Sequence, residues 1–334
     1  MHDLQTRTAL APLRRPGCAL TLPVLGIPTR FESNSAEVIE IAEEAFGAWR
    51  TLEAEPEWIE PRGVRVRVTV RRRGAGPEAG PPRYRTPRPD LLLAATGESR
   101  GRVDARAREA GMLVTDALVA DPDRFVAWML EALTLALLSR LDRQPLHAAA
   151  VVRGGTTLLL AGPSGVGKSS LTYAAMRSGL RVLTEDTAFL QLAPFRVWGM
   201  PGSVHLSAAS ARFFPELHGV APVLRANGKR KVAVELRETW ARPARQVATR
   251  AGICLLQRGD GRPGLRRVAG AEVVRALTTC IEPGFDFFAD SIGERVHRAA
   301  AGGAWALALP DHPADAVPLL HEMLDAVEDV GLLP

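Results

Sequence analysis

Residues Gly162-Pro163-Ser164-Gly165-Val166-Gly167-Lys168-Ser169 carry the spacing G-x-x-x-x-G-K-[ST]. That spacing asks for one local arrangement: a buried strand, a tight loop, then a helix. Each fixed position has a physical job. The glycines reach backbone angles that turn successive N–H groups inward around phosphate oxygens. Lys168 is long enough to reach β- and γ-phosphates, and the Ser169 hydroxyl is placed to ligate Mg²⁺. The flanks agree with the motif. Thr156-Thr157-Leu158-Leu159-Leu160-Ala161 is an apolar run of strand length, Leu171-Thr172-Tyr173-Ala174-Ala175-Met176 suits a helix, and Gly179 can end it. A helix starting at this loop adds its N-terminal dipole to the anion site. The nucleotide-binding residues on this reading are Gly162, Pro163, Ser164, Gly165, Val166, Gly167, Lys168, Ser169 and Ser170. The alternative is a glycine-rich turn with no ligand.

At ~150 residues per domain, a chain of 334 residues has room for two. A boundary near Arg143-Gln144-Pro145 gives an N-terminal domain of residues 1–143 and a C-terminal domain of residues 144–334. The 42 basic and 37 acidic residues leave a net charge of +5. No basic patch is interleaved with aromatic residues for base stacking, so no nucleic-acid partner is expected. The most apolar helical stretch, 125–141, contains Glu131 and is short for a bilayer, so no membrane partner is expected either. Cys18, Cys254 and Cys280 are far apart and lack metal-ligand spacing, which suits structural thiols in a reducing compartment. No charged segment followed by an apolar stretch marks secretion. The expected location is the cytoplasm.

In the N-terminal part, residues 19–22 and 27–31 read as short strands. Residues 34–52 read as a helix capped by Asn34, with Glu37 three positions on. Val38, Ile41, Ala42, Ala45, Phe46 and Trp49 form its core stripe. Between residues 64 and 73, arginines alternate with Val64, Val66, Val68 and Val70, as in a half-buried strand with a solvated basic face. A phosphate- or peptide-binding role for that face is the alternative. Residues 74–82 are a glycine- and proline-rich loop. Residues 91–95, 101–106 and 112–118 read as antiparallel strands, and Asp121-Pro122 as a helix start. These elements predict a small α+β domain that recognises a substrate or is accessory.

The C-terminal part opens with a strand from His147 to Arg153 that turns at Gly154-Gly155 into the strand of the phosphate-binding motif. Such a hairpin puts an antiparallel neighbour beside that strand, so the sheet is expected to be mixed. Residues 180–184 form a further strand that ends in Glu185-Asp186. Carboxylates at the carboxyl end of a strand near this loop are placed to handle a metal or a proton.

Taken together, His147, the Gly154-Gly155 turn, the 162–169 motif and the pair Glu185-Asp186 resemble the catalytic domain of bacterial HPr kinase/phosphorylase and its smaller relatives in biosynthetic clusters. The resemblance spans about residues 146–320. It includes Val197-Trp198-Gly199-Met200-Pro201-Gly202-Ser203-Val204-His205-Leu206 and the basic turn Asn227-Gly228-Lys229-Arg230-Lys231-Val232. It implies an α/β fold with a P-loop kinase core, a mixed sheet, and ATP and Mg²⁺ as cofactors. It also implies a protein or peptide substrate bearing an acceptor hydroxyl, and homo-oligomers. Two positions depart from the family: Glu185 stands where the usual pair is Asp-Asp, and Ser170 where Glu often follows the P-loop serine. The glycine-rich signature used for the reverse, phosphorylase reaction is not clean around Gly199.

By this resemblance Asp186 accepts the proton of a serine or threonine hydroxyl, and Lys168 steadies the transferred phosphate. Glu185 and Ser169 hold the metal, His147 hydrogen-bonds near the acceptor or tunes Asp186, and Lys229 and Arg230 contact the substrate. Against these stand plain alternatives: a turn residue for Asp186, a structural strand histidine for His147, and a solvated turn for Lys229 and Arg230. The remaining histidines, His205 included, read as structural or exposed, and Trp198 and Trp240 as core or rim. Two other functions stay open: a kinase of small-molecule hydroxyls, and a nucleotide-binding regulatory module without transfer.

Overall fold

The structure is a computed structural model that describes residues 17–51, 56–74, 76, 80–200, 202–224, 228–235, 247–279 and 289–330. Cys280, Trp240, Pro201, Asn227 and parts of the 74–82 loop lie outside the described residues. The chain divides into two compact units, with the main division between Leu141 and Asp142.

In the first unit seven strands form one sheet. They are β1 (Cys18–Val24), β2 (Ile27–Ser33), β3 (Val64–Arg71), β4 (Arg83–Arg88), β5 (Leu91–Thr96), β6 (Ser99–Asp104) and β7 (Glu109–Thr115). Their order is β1-β2-β3-β7-β6-β5-β4. The β5-β6-β7 stretch is the expected antiparallel meander, whereas β3 pairs in parallel with both β2 and β7. The alternation of β3 works as its sequence says: Val64, Val66 and Val68 are buried. Its basic face is not simply solvated. Arg67 pairs with Glu32 at 3.2 Å and with Glu109 at 2.5 Å, and Arg65 lies 3.7 Å from Glu32. Burial pushes the Glu32 carboxyl up, but hydrogen bonds from Arg30 and Arg67 and the charge of Arg65 hold it below its ordinary value.

The expected helix over 34–52 is shorter. α1 spans Ala36–Phe46 and gives way to a 3-10 turn, Gly47–Thr51. Asn34 does not cap it. Its side chain bonds the backbone of Val70 in both directions, at 2.9 Å to the carbonyl and 2.8 Å from the N–H. The amide thus extends the β2–β3 pairing by one backbone-like step. Two long-range hydrogen bonds outcompete one local cap. The stripe still packs: Val38, Ile41, Ala42, Phe46 and Trp49 are buried, with Phe46 stacked on Phe31 at 5.1 Å. Asp121 does cap its helix, accepting from Arg124 N–H at 3.2 Å. The rod then runs through a π segment, Val126–Leu130, into α2 (Glu131–Ser139).

The second unit is built on β8 (Gln144–Arg153), β9 (Thr156–Ala161), β10 (Arg181–Thr184), β11 (Thr187–Gln191) and β12 (Arg196–Gly199). With them go β13 (Ser203–Leu206), β14 (Val223–Leu224), β15 (Arg230–Glu235), β16 (Val247–Ala248), β17 (Arg250–Gly261), β18 (Gly264–Arg267) and β19 (Ala304–Pro310). The main sheet runs β16-β12-β11-β8-β9-β17-β19-β18, with β10 on β8 beside β11. It is mixed. β8 and β9 form the antiparallel hairpin, while β17 runs parallel to both β9 and β19. β13, β14 and β15 make a separate small sheet.

Helices cover both faces, which explains why β9 is apolar on consecutive positions and buried throughout. On one face Leu158, Leu160 and Leu256 meet Leu171 of α3 (Lys168–Arg177). On the other face Leu159, Ala161 and Leu255 meet Val273 of α4 (Gly270–Thr279) and Ile292 of α5 (Ala289–Ala300). α6 (Val317–Val330) adds Leu320, Met323 and Leu324 to the first face. Trp198 and Cys254 are core residues, and burial pushes the Cys254 thiol up, away from reactivity. Among the described residues no helix is long and apolar enough to cross a membrane.

Candidate functional site

The glycine loop, residues 162–169, leaves the end of β9 and enters α3. Gly165 and Gly167 have φ of +78° and +123°, angles that side chains resist. Gly162 is needed for close approach, because a Cβ there would lie 2.9 Å from the Leu256 carbonyl oxygen on neighbouring β17. The first intrahelical bond is Leu171 N–H to the Gly167 carbonyl. The amides of Lys168, Ser169 and Ser170 are therefore first-turn donors at a positive helix end. The Lys168 ammonium folds back over the loop and donates to the Gly162 carbonyl at 2.6 Å and the Pro163 carbonyl at 3.3 Å.

The acidic pair reaches this loop through strand direction. β10 is antiparallel to β8, and β8 to β9, so β9 and β10 finish at the same sheet edge. Glu185 and Asp186 form the turn between β10 and β11. They take different environments. The Glu185 side chain is 9% exposed and Asp186 64%. Glu185 accepts a short hydrogen bond from the Ser169 hydroxyl. Its other oxygen lies 3.3 Å from His205 Nδ1, and His205 Nε2 lies 3.1 Å from the Ser203 hydroxyl. Burial pushes the Glu185 carboxyl up, yet the bonds from His205 and Ser169 and the charge of Lys231 hold it below its ordinary value. Asp186 faces His147, whose Nδ1 is 3.4 Å from Asp186 Oδ1. His147 sits on β8 opposite Thr187, one residue past that carboxylate.

His205, expected to be structural or exposed, is largely buried and lies against Glu185. Val204 and Leu206 are buried against Tyr173 and Ala174 of α3. The period of two sends Ser203 and His205 to the other face of β13, where His205 meets Glu185. Lys229 and Arg230 are both exposed at the start of β15, and the cation whose charge acts on Glu185 is the next residue, Lys231. Ser170 is buried in the first turn of α3, while Pro163, Ser164 and Gly165 are exposed.

The donor set suits a hard cation shared with phosphates. Ser169 and Glu185 bring two adjoining oxygen donors, the second held anionic. Among the described residues no group of three or more His, Cys, Asp or Glu could hold a metal alone. Mg²⁺ is typically bound by one or two carboxylates with waters and substrate phosphates.

The low position of Glu185 gives a pH prediction. A carboxylate held below its unfolded value stabilises the fold above that value, and the contribution is lost as pH falls through the folded value. Glu185→Gln should lower the melting temperature at neutral pH, by the equivalent of about 1–3 kcal/mol for hydrogen bonds to a charged group. The gap to wild type should narrow as pH falls through the acid range, below the ordinary carboxylate value. Thermal melts of both proteins between neutral pH and pH ~3 check this; a gap that stays constant removes the assigned cause.

No family model matches the chain, and no curated protein matches it. Among solved structures, the HPr(Ser) kinase/phosphatase from Coxiella burnetii is similar at 13% identity and a TM-score of 0.32, over 57% of this chain and 93% of that one. That likeness is distant, and the chemistry has to be carried by this chain's own residues.

Proposed function

We propose that the chain is an ATP-dependent kinase that transfers the γ-phosphate to a serine or threonine hydroxyl of a protein or peptide. The observation that supports this best is the convergence of Lys168, Ser169, Glu185 and Asp186 at one sheet edge, with Ser169 bonded to Glu185 and Asp186 beside His147. Phosphoryl transfer asks a protein mainly for positioning and charge neutralisation, and these residues divide that work. Loop and first-turn amides hold the phosphates. Lys168 leaves its carbonyl partners for the β- and γ-phosphate oxygens. Ser169 and Glu185 would hold Mg²⁺, which neutralises charge between those phosphates. His205 fixes the second oxygen of Glu185 and so orients its first. Asp186, exposed and beside the loop, accepts the proton of the acceptor hydroxyl as its oxygen attacks the γ-phosphorus and ADP leaves. His147 positions the Asp186 carboxylate; its 3.4 Å contact is loose, as catalytic contacts often are before substrate binds.

The test is mass spectrometry of the protein with ATP, Mg²⁺ and a panel of hydroxyl-bearing peptides, with free small-molecule alcohols as a second panel. A gain of one phosphate on a peptide is the expected result. Phosphate on the small alcohols alone would move the assignment to a metabolite kinase. Nucleotide binding with no acceptor modified would leave a regulatory module.

A further inference from the structure

A cavity of about 690 Å³ opens beside the glycine loop, within the range of about 300–1,000 Å³ typical of ligand sites. Its walls are mostly apolar: Leu146, Leu255, Leu256, Leu277 and Ile292, from β8, β17, α4 and α5. Its polar members are few. They include His147 at one side and Arg258, which donates to the Gly165 carbonyl at 3.4 Å.

The position of the cavity says which end of a nucleotide it adjoins. Lys168 marks the β/γ end of a phosphate chain, and its ammonium lies on the carbonyls of Gly162 and Pro163. Gly162 and Pro163 line the cavity, as does His147, which faces Asp186. No residue of α3, whose first turn would hold the rest of the phosphate chain, lines it. The cavity therefore adjoins the phosphate that would be transferred and the carboxylate that would take the proton. The nucleotide base belongs at the opposite end. A small polar alcohol would leave these leucine and isoleucine walls wet.

We infer that this cavity is an acceptor-specificity pocket, which takes large apolar side chains flanking the acceptor hydroxyl of a peptide. The inference rests on the kinase reading for the direction of the nucleotide, but its test does not need transfer. Two short peptides are compared, Ala-Leu-Ser-Phe-Ala and Ala-Asp-Ser-Asn-Ala with blocked ends, by calorimetric titration in the presence of Mg²⁺ and a non-hydrolysable ATP analogue. The apolar peptide should bind at least about tenfold more tightly, the gain expected from burying one large apolar side chain.

Ala276→Trp, from the α4 wall, should fill the pocket and erase that preference while leaving affinity for the ATP analogue within about twofold. Leu277→Gln is the milder second variant and should reduce the preference without filling the space. Equal affinity of the two peptides for wild type would overturn the inference. So would a loss of nucleotide affinity in folded Ala276→Trp, which would give the cavity to the base. Transfer is read separately with the same peptides. An apolar preference without transfer keeps the pocket and removes the kinase reading; transfer without preference does the reverse.

Discussion

Lys168→Met should lower phosphate transfer by about 10²–10³-fold, the usual cost of removing one donor aimed at developing charge. Nucleotide affinity should fall with it, because in the proposed role the same ammonium attracts the ground-state phosphates. In the structure that ammonium is nearly buried and held by two carbonyls. A buried cation is costly to desolvate. Methionine fills similar volume without the charge, so the variant should melt at the wild-type temperature or above it. This combination separates the roles. A residue kept for structure would lose stability, and a residue kept for phosphate loses rate and affinity while the fold holds. Lys168→Arg should not restore transfer, since a planar guanidinium cannot occupy the space of a compact ammonium against Gly162 and Pro163. Transfer rates and calorimetric titration with the ATP analogue measure both effects; wild-type rate in Lys168→Met would remove the phosphate-binding assignment of the loop.

How much of this site was legible in the sequence depends on how local its causes are. The loop, the β8–β9 hairpin and the mixed sheet follow from short-range chemistry: glycines where φ is positive, a Gly154-Gly155 turn, and an apolar run too uniform for a one-sided strand. Glu185 and Asp186 were legible because they end a strand one element after α3. His205 was not. Its approach to Glu185 depends on β13 pairing with β15 and packing on α3, and no local pattern announces that. The same holds for Lys231. Lys229, Arg230 and Lys231 are equivalent as a charge run, and only their place on β15 decides which charge reaches Glu185. Asn34 shows the reverse error, where a good local cap signal yields to a long-range strand partner, Val70. The cavity walls were invisible for a related reason. The apolar stripes of α4 and α5 say that these helices pack, not that they leave a space beside the loop.

Asp186→Asn should abolish most of the transfer, by about 10²–10⁴-fold for loss of a general base, and should leave nucleotide affinity within about twofold of wild type. The contrast with its neighbour makes this a clean test. Glu185 is buried and bonded on both oxygens, so changing it disturbs the fold and the serine together. Asp186 is largely exposed, with His147 Nδ1 3.4 Å from its carboxylate. Surface substitutions of this kind typically change stability by about 0.5 kcal/mol or less, so a large rate effect cannot be assigned to unfolding. Asparagine keeps the shape and can still meet His147, but it cannot take a proton. The rate loss should therefore fall on the chemical step, with little change in the KM for peptide. His147→Gln should cost less than Asp186→Asn, and the double variant should be no slower than Asp186→Asn alone, because a positioning residue has nothing left to position. Additive losses in that cycle would make His147 an independent participant. Undiminished transfer in Asp186→Asn would move the base elsewhere on the same sheet edge while leaving the phosphate site in place.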